Sequence, residues 1–289
     1  MKRPVVAAPG KVVDTDRYPL SDPGSAAWRA AVDHARRELD RVGCCVLSDF
    51  IRPELRDTVQ RECAGVAPLA HGQVEVVNAY NIAVGTPLPD GHPGRVTMER
   101  GNAFVARDQI PADSVLQQLY TSTLFQRFVA DCFRLPALYE LADPLSGLCL
   151  NVIAPGRAHP WHFDTNEYTV SMLTQESAEG GDFEYCPNIR SADAENFEDV
   201  AGVLAGTRPD LPRRLTLAPG DLQLFKGRYS LHRVTEVTGG TARHTAIFAY
   251  SERPGVMGSV ERTRQLFGRV LPEHTAAEFR AVRGDRLLD

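Results

Sequence analysis

The 289-residue chain has no excess of basic residues: 32 Lys and Arg stand against 37 Asp and Glu, a formal net charge of −5. It lacks the positive field that draws a protein onto a nucleic-acid backbone or an anionic membrane, so a small-molecule substrate is the expectation. No apolar run approaches the roughly 18 residues needed to cross a bilayer. The stretch MKRPVVAAPGKVVDTD has no sustained apolar segment between Lys2-Arg3 and its first acids, and the expected location is cytoplasmic. None of the six cysteines (Cys44, Cys45, Cys63, Cys132, Cys149, Cys186) is spaced as C-x-x-C. Most lie in apolar stretches, which predicts reduced core thiols rather than disulfides or metal ligands. Repeats and low-complexity linkers are also missing, so residues 1–289 read as one domain, and a homodimer is allowed.

What is present divides by texture. From Asp22 to Gly43, Trp28, Ala31, Val32, Ala35 and Leu39 recur at a helical period with a glycine stop. CCVLSDF then suits a strand, PELRDTVQRECAGV a second helix, and residues 112–134 a third. After residue 145 come short β-branched or aromatic runs separated by Gly, Pro and Asn, among them GLCLNVIAPG, GGDFEYCP and RHTAIFAYSERPG. Strands at this spacing predict an antiparallel sandwich or barrel. The tail from Val260 returns to helical character. The expected order is N-terminal helices and first strands over about 15–135, a β-core over about 145–255, and a helical extension over about 256–289.

Side chains alternate along a strand, so His162 and Asp164 of WHFD are expected to project to one side and grip one ion. An H-x-D triplet alone is weak, but the later segment LFKGRYSLHRV adds His232. Two imidazoles and one carboxylate form a facial triad that leaves three positions open on a six-coordinate ion, the pattern of non-haem Fe(II) oxygenases. A zinc hydrolase uses similar ligands but needs one open position. Arg243 favours the first reading. It lies eleven residues past His232 across VTGGTA, on a strand expected to point back at the metal, with Thr245 on the same face. A guanidinium beside a hydroxyl suits the distal carboxylate of a chelated 2-oxoglutarate. The plain alternative for Arg243 is a surface ion pair.

At these residues the sequence resembles the Fe(II)/2-oxoglutarate dioxygenase superfamily, and within it the radical hydroxylases and halogenases that act on free amino acids. The resemblance runs from RYPL near residue 17 through NAYN, ARDQIPADSVLQQLY, HPWHFDTNEYTVSMLTQ, GGDFEYCPNIRS, LFKGRYSLHRV and AIFAYSERPG to RQLFGR. It implies a mainly β protein with flanking α-helices, built as a double-stranded β-helix (a cupin-like jelly roll). It also implies Fe(II) on His162, Asp164 and His232, with 2-oxoglutarate at Arg243 and O2 as oxidant. Halogenases of the group replace the carboxylate ligand by Gly or Ala to admit chloride, so Asp164 implies hydroxylation. His159 matches a substrate-contacting histidine of the group. Lysine-acting relatives carry Asp directly after the ligand pair, whereas Thr165 and Asn166 stand here as the expected substrate contacts and speak against lysine.

Other residues carry plainer expectations. Asn151 and Tyr80 are candidates to line the pocket, Asn151 beside the co-substrate. Arg100 is a candidate clamp for a substrate carboxylate, with surface exposure as its alternative. Trp161 is expected in the core and His244 outside the barrel. His34, His71, His92 and His274 receive no role. The overall expectation is hydroxylation of an unactivated C–H of a free amino acid or close derivative, 2-oxoglutarate becoming succinate and CO2. Desaturation or cyclisation by the same machinery, and a non-catalytic cupin-type metal sensor, are the alternatives.

Overall fold

The computed structural model describes residues 12–277 and 287–288. The first expected helix forms as α1 (Ala26–Val42), starting four residues after Asp22 because Ser25 caps it. The Ser25 hydroxyl accepts the Trp28 N–H at 3.1 Å, and Gly43, at φ 67°, closes the far end on the Leu39 carbonyl. β1 (Cys44–Leu47) and α2 (Pro53–Val66) follow as expected. The single helix expected over 112–134 is instead two, α3 (Val115–Tyr120) and α4 (Thr123–Phe133). Two adjacent hydroxyls break it: Thr121 donates to the Gln117 carbonyl at 2.8 Å, and Ser122 accepts from the Phe125 N–H as a new N-cap.

The strands are β2 (Glu75–Asn78), β3 (Thr97–Arg100), β4 (Ala103–Val105), β5 (Tyr139–Glu140), β6 (Leu148–Ile153), β7 (His159–His162) and β8 (Thr169–Gln175). They continue as β9 (Phe183–Cys186), β10 (Arg213–Leu215), β11 (Leu222–Phe225), β12 (Leu231–Val234), β13 (Arg243–Phe248) and β14 (Tyr250–Ser251). A six-stranded antiparallel sheet runs β1-β11-β8-β13-β6-β4, and a four-stranded one runs β10-β9-β12-β7. They face each other as the two walls of the jelly roll. Phe225 of the larger sheet meets Phe183 and His232 of the smaller at ring-centroid distances of 5.4 and 4.9 Å.

Alternation assigns each face of the larger sheet. Leu47, Leu150, Met172, Leu224, Ala246 and Phe248 point outward into a core shared with α1–α4, where Trp28 meets Phe128 edge-on at 5.2 Å. Burying each such Leu or Phe contributes about 1.5–3 kcal/mol. The positions between them, Gln223, Thr245 and Asn151 included, face the smaller sheet. This is why the face turned to the smaller sheet carries buried polar side chains while the other face is apolar. All six cysteines are buried and free, as composition predicted. No helix among the described residues is long and apolar enough to cross a membrane.

After α5 (Phe197–Leu204) and the last strands, the chain ends in α6 (Val260–Phe267) and α7 (Pro272–Ala277). The rest of the tail predicted as helical lies outside the described residues, apart from Leu287 and Leu288. Phe267 of α6 packs on Phe104 of β4 at 6.5 Å. A buried carboxylate fixes this extension. Asp143 accepts the N–H groups of Leu145 (2.8 Å), Ser146 (3.0 Å) and Gly258 (3.1 Å), and lies 3.0 Å from His274 Nε2. His274 Nδ1 accepts the Leu271 N–H, which leaves the ring proton on Nε2 for Asp143. His274, given no role from sequence, is therefore a buried anchor of the C-terminal helices.

Burial would raise the Asp143 carboxyl, but these donors hold it below the usual carboxylate range. A depressed carboxyl stabilises the fold above its unfolded value near 3.8 and loses that contribution as pH falls through the lower folded value. Asp143→Ala strands several buried donors and is expected to cost about 3–5 kcal/mol. Urea unfolding at pH 7 measures this loss, and the gap to wild type should narrow below roughly pH 4. A loss under about 1 kcal/mol would mean the pair is not an anchor.

Candidate metal centre

His162 ends β7 and His232 lies opposite it in register on β12. Each ring sets its Nδ1 against a carbonyl two residues earlier, Pro160 at 2.8 Å and Ser230 at 2.9 Å. The proton is thereby held on Nδ1, and both Nε2 lone pairs face inward. Asp164 was expected on the same strand, but the strand stops at His162. The chain there leaves the sheet: Phe163 N–H turns to the Ala79 carbonyl (2.9 Å) and Asp164 N–H to the Gly227 carbonyl (3.1 Å). Asp164 still reaches the two histidines, with Oδ1 3.7 Å from His162 Nε2 and 3.4 Å from His232 Nε2. Its Oδ2 accepts from the Thr169 hydroxyl at 2.5 Å.

One ligand atom from each of the three residues lies within 4.8 Å of the others, and among the described residues this is the group that fits a metal ion. The charge states of His162 and Asp164 suit one. Burial, with His159 and His232 beside it, pushes His162 well below the usual imidazole range. Burial works the other way on Asp164, but the two imidazoles and Thr169 hold it ionised. A neutral imidazole at His162 and an ionised carboxylate at Asp164 are the forms a cation requires.

The loop carrying NAYN braces the triad from behind. Asn81, at φ 58°, donates its amide to the Phe163 carbonyl at 2.9 Å, and the Tyr80 ring lies 5.4 Å from Phe163. Tyr80 is thus a fully buried core residue and not pocket lining, a correction due to its packing against Phe163 on the side of the chain away from the metal ligands. Trp161 is core as expected, with the Arg233 guanidinium 4.6 Å over its ring. His244 faces away from the pocket and is buried there.

Arg243 is 5% exposed on β13, in the sheet opposite His232. It donates to the Thr245 hydroxyl, and among the described residues no carboxylate forms an ion pair with it. The surface-pair alternative therefore fails. Burial lowers its pKa to about 10 against the opposing pull of Glu176 and Asp182. Thr245 pairs across the sheet with Asn151, whose side-chain oxygen accepts from Asn102 at 2.9 Å. His159 stacks on His162 at 3.8 Å. Arg100 is buried rather than on the surface, with one bond to Glu75 (2.6 Å) and no partner for Nε or Nη1. Thr165 and Asn166 are half-buried in the bend after Asp164.

Sequence reasoning missed Thr169, Asn102, Glu75, Arg262, Gln265 and Gly227. The last has no local signal at all: a Cβ built there would lie 1.9 Å from Asp164 Oδ2.

The family model described as halogenase D matches residues 27–264. The chain belongs to the halogenase D family. Membership makes it an enzyme, and its architecture agrees with solved oxygenases. Similar folds include a prolyl hydroxylase from Trichoplax adhaerens, in complex with a hypoxia inducible factor oxygen degradation domain peptide. That structure is 13% identical, with 78% of this chain and 90% of that one covered at a TM-score of 0.50. The epimerase SnoN of nogalamycin biosynthesis, with Fe3+, alpha ketoglutarate and nogalamycin RO, is 14% identical over 76% of this chain and 83% of that one (TM-score 0.50). A 2OG-Fe(II) oxygenase family protein from Burkholderia pseudomallei is 17% identical over 78% and 92% (TM-score 0.48). No curated protein sequence matches the chain. At these identities the two structures at a TM-score of 0.50 establish the shared fold alone, and the jelly roll expected for this halogenase D member is the one observed.

Proposed function

We propose that this enzyme is an Fe(II)/2-oxoglutarate-dependent oxygenase that hydroxylates an unactivated C–H of a free amino acid or close derivative, with O2 and 2-oxoglutarate becoming succinate and CO2. The observation that carries the reading is the triad with its two Nε2 atoms and Asp164 Oδ1 facing one point, together with a buried arginine that forms no ion pair among the described residues. His162, Asp164 and His232 hold the iron and leave three positions open. When bound, iron and co-substrate supply the oxidising chemistry.

The chain's own groups bind and orient. Arg243 and Thr245 receive the distal carboxylate of 2-oxoglutarate, and Asn151 flanks it. His159, Thr165, Asn166 and Arg100 surround the substrate, with the free N–H groups of Arg100 suited to a carboxylate. The family takes its description from halogenation, but Asp164 fills the position that a halide would need. That supports hydroxylation for this member.

Anaerobic titration with Fe(II) and 2-oxoglutarate, followed by a screen of free amino acids for stimulated succinate release, tests the whole reading. No charge-transfer band and no succinate with any of them would end it. Arg243→Ala is expected to weaken 2-oxoglutarate binding by about a hundredfold, since a bidentate charge-assisted contact is lost from a buried site. Fe(II) affinity should move less than about twofold, because no metal bond is touched. Equilibrium titrations of each ligand separate the two, and an unchanged 2-oxoglutarate affinity would put the co-substrate elsewhere.

A further inference from the structure

Arg100 leaves the end of β3 with two unpartnered guanidinium nitrogens, Nε and Nη1, in a buried setting, and it is not alone there. Its Nη2 donates to Glu75 Oε2 at 2.6 Å, and the same oxygen accepts from Gln265 Nε2 at 2.9 Å. Gln265 in turn accepts a hydrogen bond from Arg262 Nη1 on its Oε1 at 2.6 Å. Four side chains from β2, β3 and α6 thus form one chain of hydrogen bonds with a guanidinium at each end and one carboxylate between. Arg262 lies in the field of Asp164 as well as of Arg100 and Glu75, and His159, stacked on the metal ligand His162, lies in the field of both arginines. Gly101 N–H donates to the Ala158 carbonyl at 3.0 Å, so the end of β3 carries this pair of guanidinium groups alongside β7, the strand that ends in the metal ligand His162.

We propose that Arg262 is a specificity-determining residue, which together with Arg100 selects an amino-acid substrate carrying an acidic side chain over neutral and cationic ones. The proposal rests on the function assigned above and names its substrate class. The charge count carries it. Arg100 and Arg262 bring two positive charges and Glu75 one negative, and Asp164 is committed to the metal, so the hydrogen-bonded cluster itself holds a surplus of one positive charge. An amino-acid head group is neutral overall, its carboxylate and ammonium cancelling, and leaves that surplus in place. A side-chain carboxylate removes it, and a lysine ammonium adds to it. Gln265 contributes geometry without charge: it holds the Arg262 fork in place, so little rotamer freedom is lost on binding. Thr165, where an acidic residue would pair an ammonium, agrees in sign.

The test uses isosteric pairs on the full chain loaded with Fe(II) and 2-oxoglutarate: glutamate against glutamine, aspartate against asparagine, with lysine as the cationic control. Binding is read anaerobically from the perturbation of the iron–2-oxoglutarate charge-transfer band, and turnover from succinate. The acidic member of at least one pair is expected to bind about tenfold or more tightly than its amide. Arg262→Gln should erase that preference, raising the half-saturation of the acid about tenfold while the amide moves less than about twofold. Arg262→Lys should restore part of it. Equal binding of acid and amide, a preference for lysine, or an Arg262→Gln loss uniform across all probes would overturn the inference. If the charge-transfer band never forms, the oxygenase reading falls first and this inference with it.

Discussion

Replacing Gly227 by alanine is expected to empty the iron site while leaving the fold intact. The glycine is not required for a left-handed backbone, since its φ is not among the positive ones. It is required for space. A Cβ there would lie 1.9 Å from Asp164 Oδ2, 2.6 Å from Cγ and 2.9 Å from Cβ, so the whole carboxylate, not a flexible tip, stands in the way. Two responses are open. Asp164 swings aside and gives up its alignment with the histidines and its Thr169 bond, or the turn at Gly227 moves and breaks its carbonyl's bond to the Asp164 N–H. Either misplaces one of three ligands, and disturbing even the groups that orient ligands costs 10–100-fold in metal affinity. We expect iron affinity to fall on the order of a hundredfold or more, with a melting temperature within a few degrees of wild type. Gly240→Ala is the matched control, because a Cβ there meets nothing within 4 Å. Wild-type iron binding by Gly227→Ala would mean that the carboxylate is not held against this turn.

The contrast between Gly227 and the triad marks what the sequence could reveal. His162, Asp164 and His232 were legible because short spacing and residue type are local signals. The faces of β13 and β6 were legible because alternation has a fixed period. Even so, the parity argument for Asp164 was only half right: the strand ends at His162, and contacts to Ala79 and Gly227 from distant segments set the carboxylate. The single helix expected over 112–134 failed on two hydroxyls whose capping competes with an otherwise continuous apolar pattern. The surface alternative for Arg100 and the pocket-lining role for Tyr80 failed for a shared reason. Burial is decided by what packs on a residue from elsewhere in the chain, here α6 for Arg100 and Phe163 for Tyr80. Glu75, Arg100, Arg262 and Gln265 meet across 190 positions of sequence between Glu75 and Gln265, and no window contains them together.

Asp164→Gly is expected to keep part of the iron, to lose hydroxylation by about a hundredfold or more, and to give traces of chlorinated product in chloride buffer, where the wild type gives none at any chloride concentration. Two imidazoles, the Asp164 carboxylate, a chelating 2-oxoglutarate and O2 fill six positions, which leaves none for a halide. Removing the carboxylate opens one position and deletes a negative charge, and both changes favour an anion. The walls of the vacated space are already known. Thr169 Oγ1, which now donates to Oδ2, would point a free O–H at it, and Gly227 borders it closely enough that a Cβ would overlap the missing oxygen. The hole is therefore lined by a hydrogen-bond donor and backed by a residue without a side chain, which suits a small anion. Refilling it should reverse the effect: Asp164→Gly combined with Gly227→Ala restores bulk but no ligand, and should lose the chlorinated product while binding iron no better than the single variant. Mass spectrometry of products with and without chloride reads all three proteins. Chlorinated product from the wild type would overturn the hydroxylase reading. An Asp164→Gly variant that holds iron but chlorinates nothing would show that the open position alone does not set the outcome, because the distance from the substrate carbon to that position, fixed by the groups around Arg100 and His159, would then dominate.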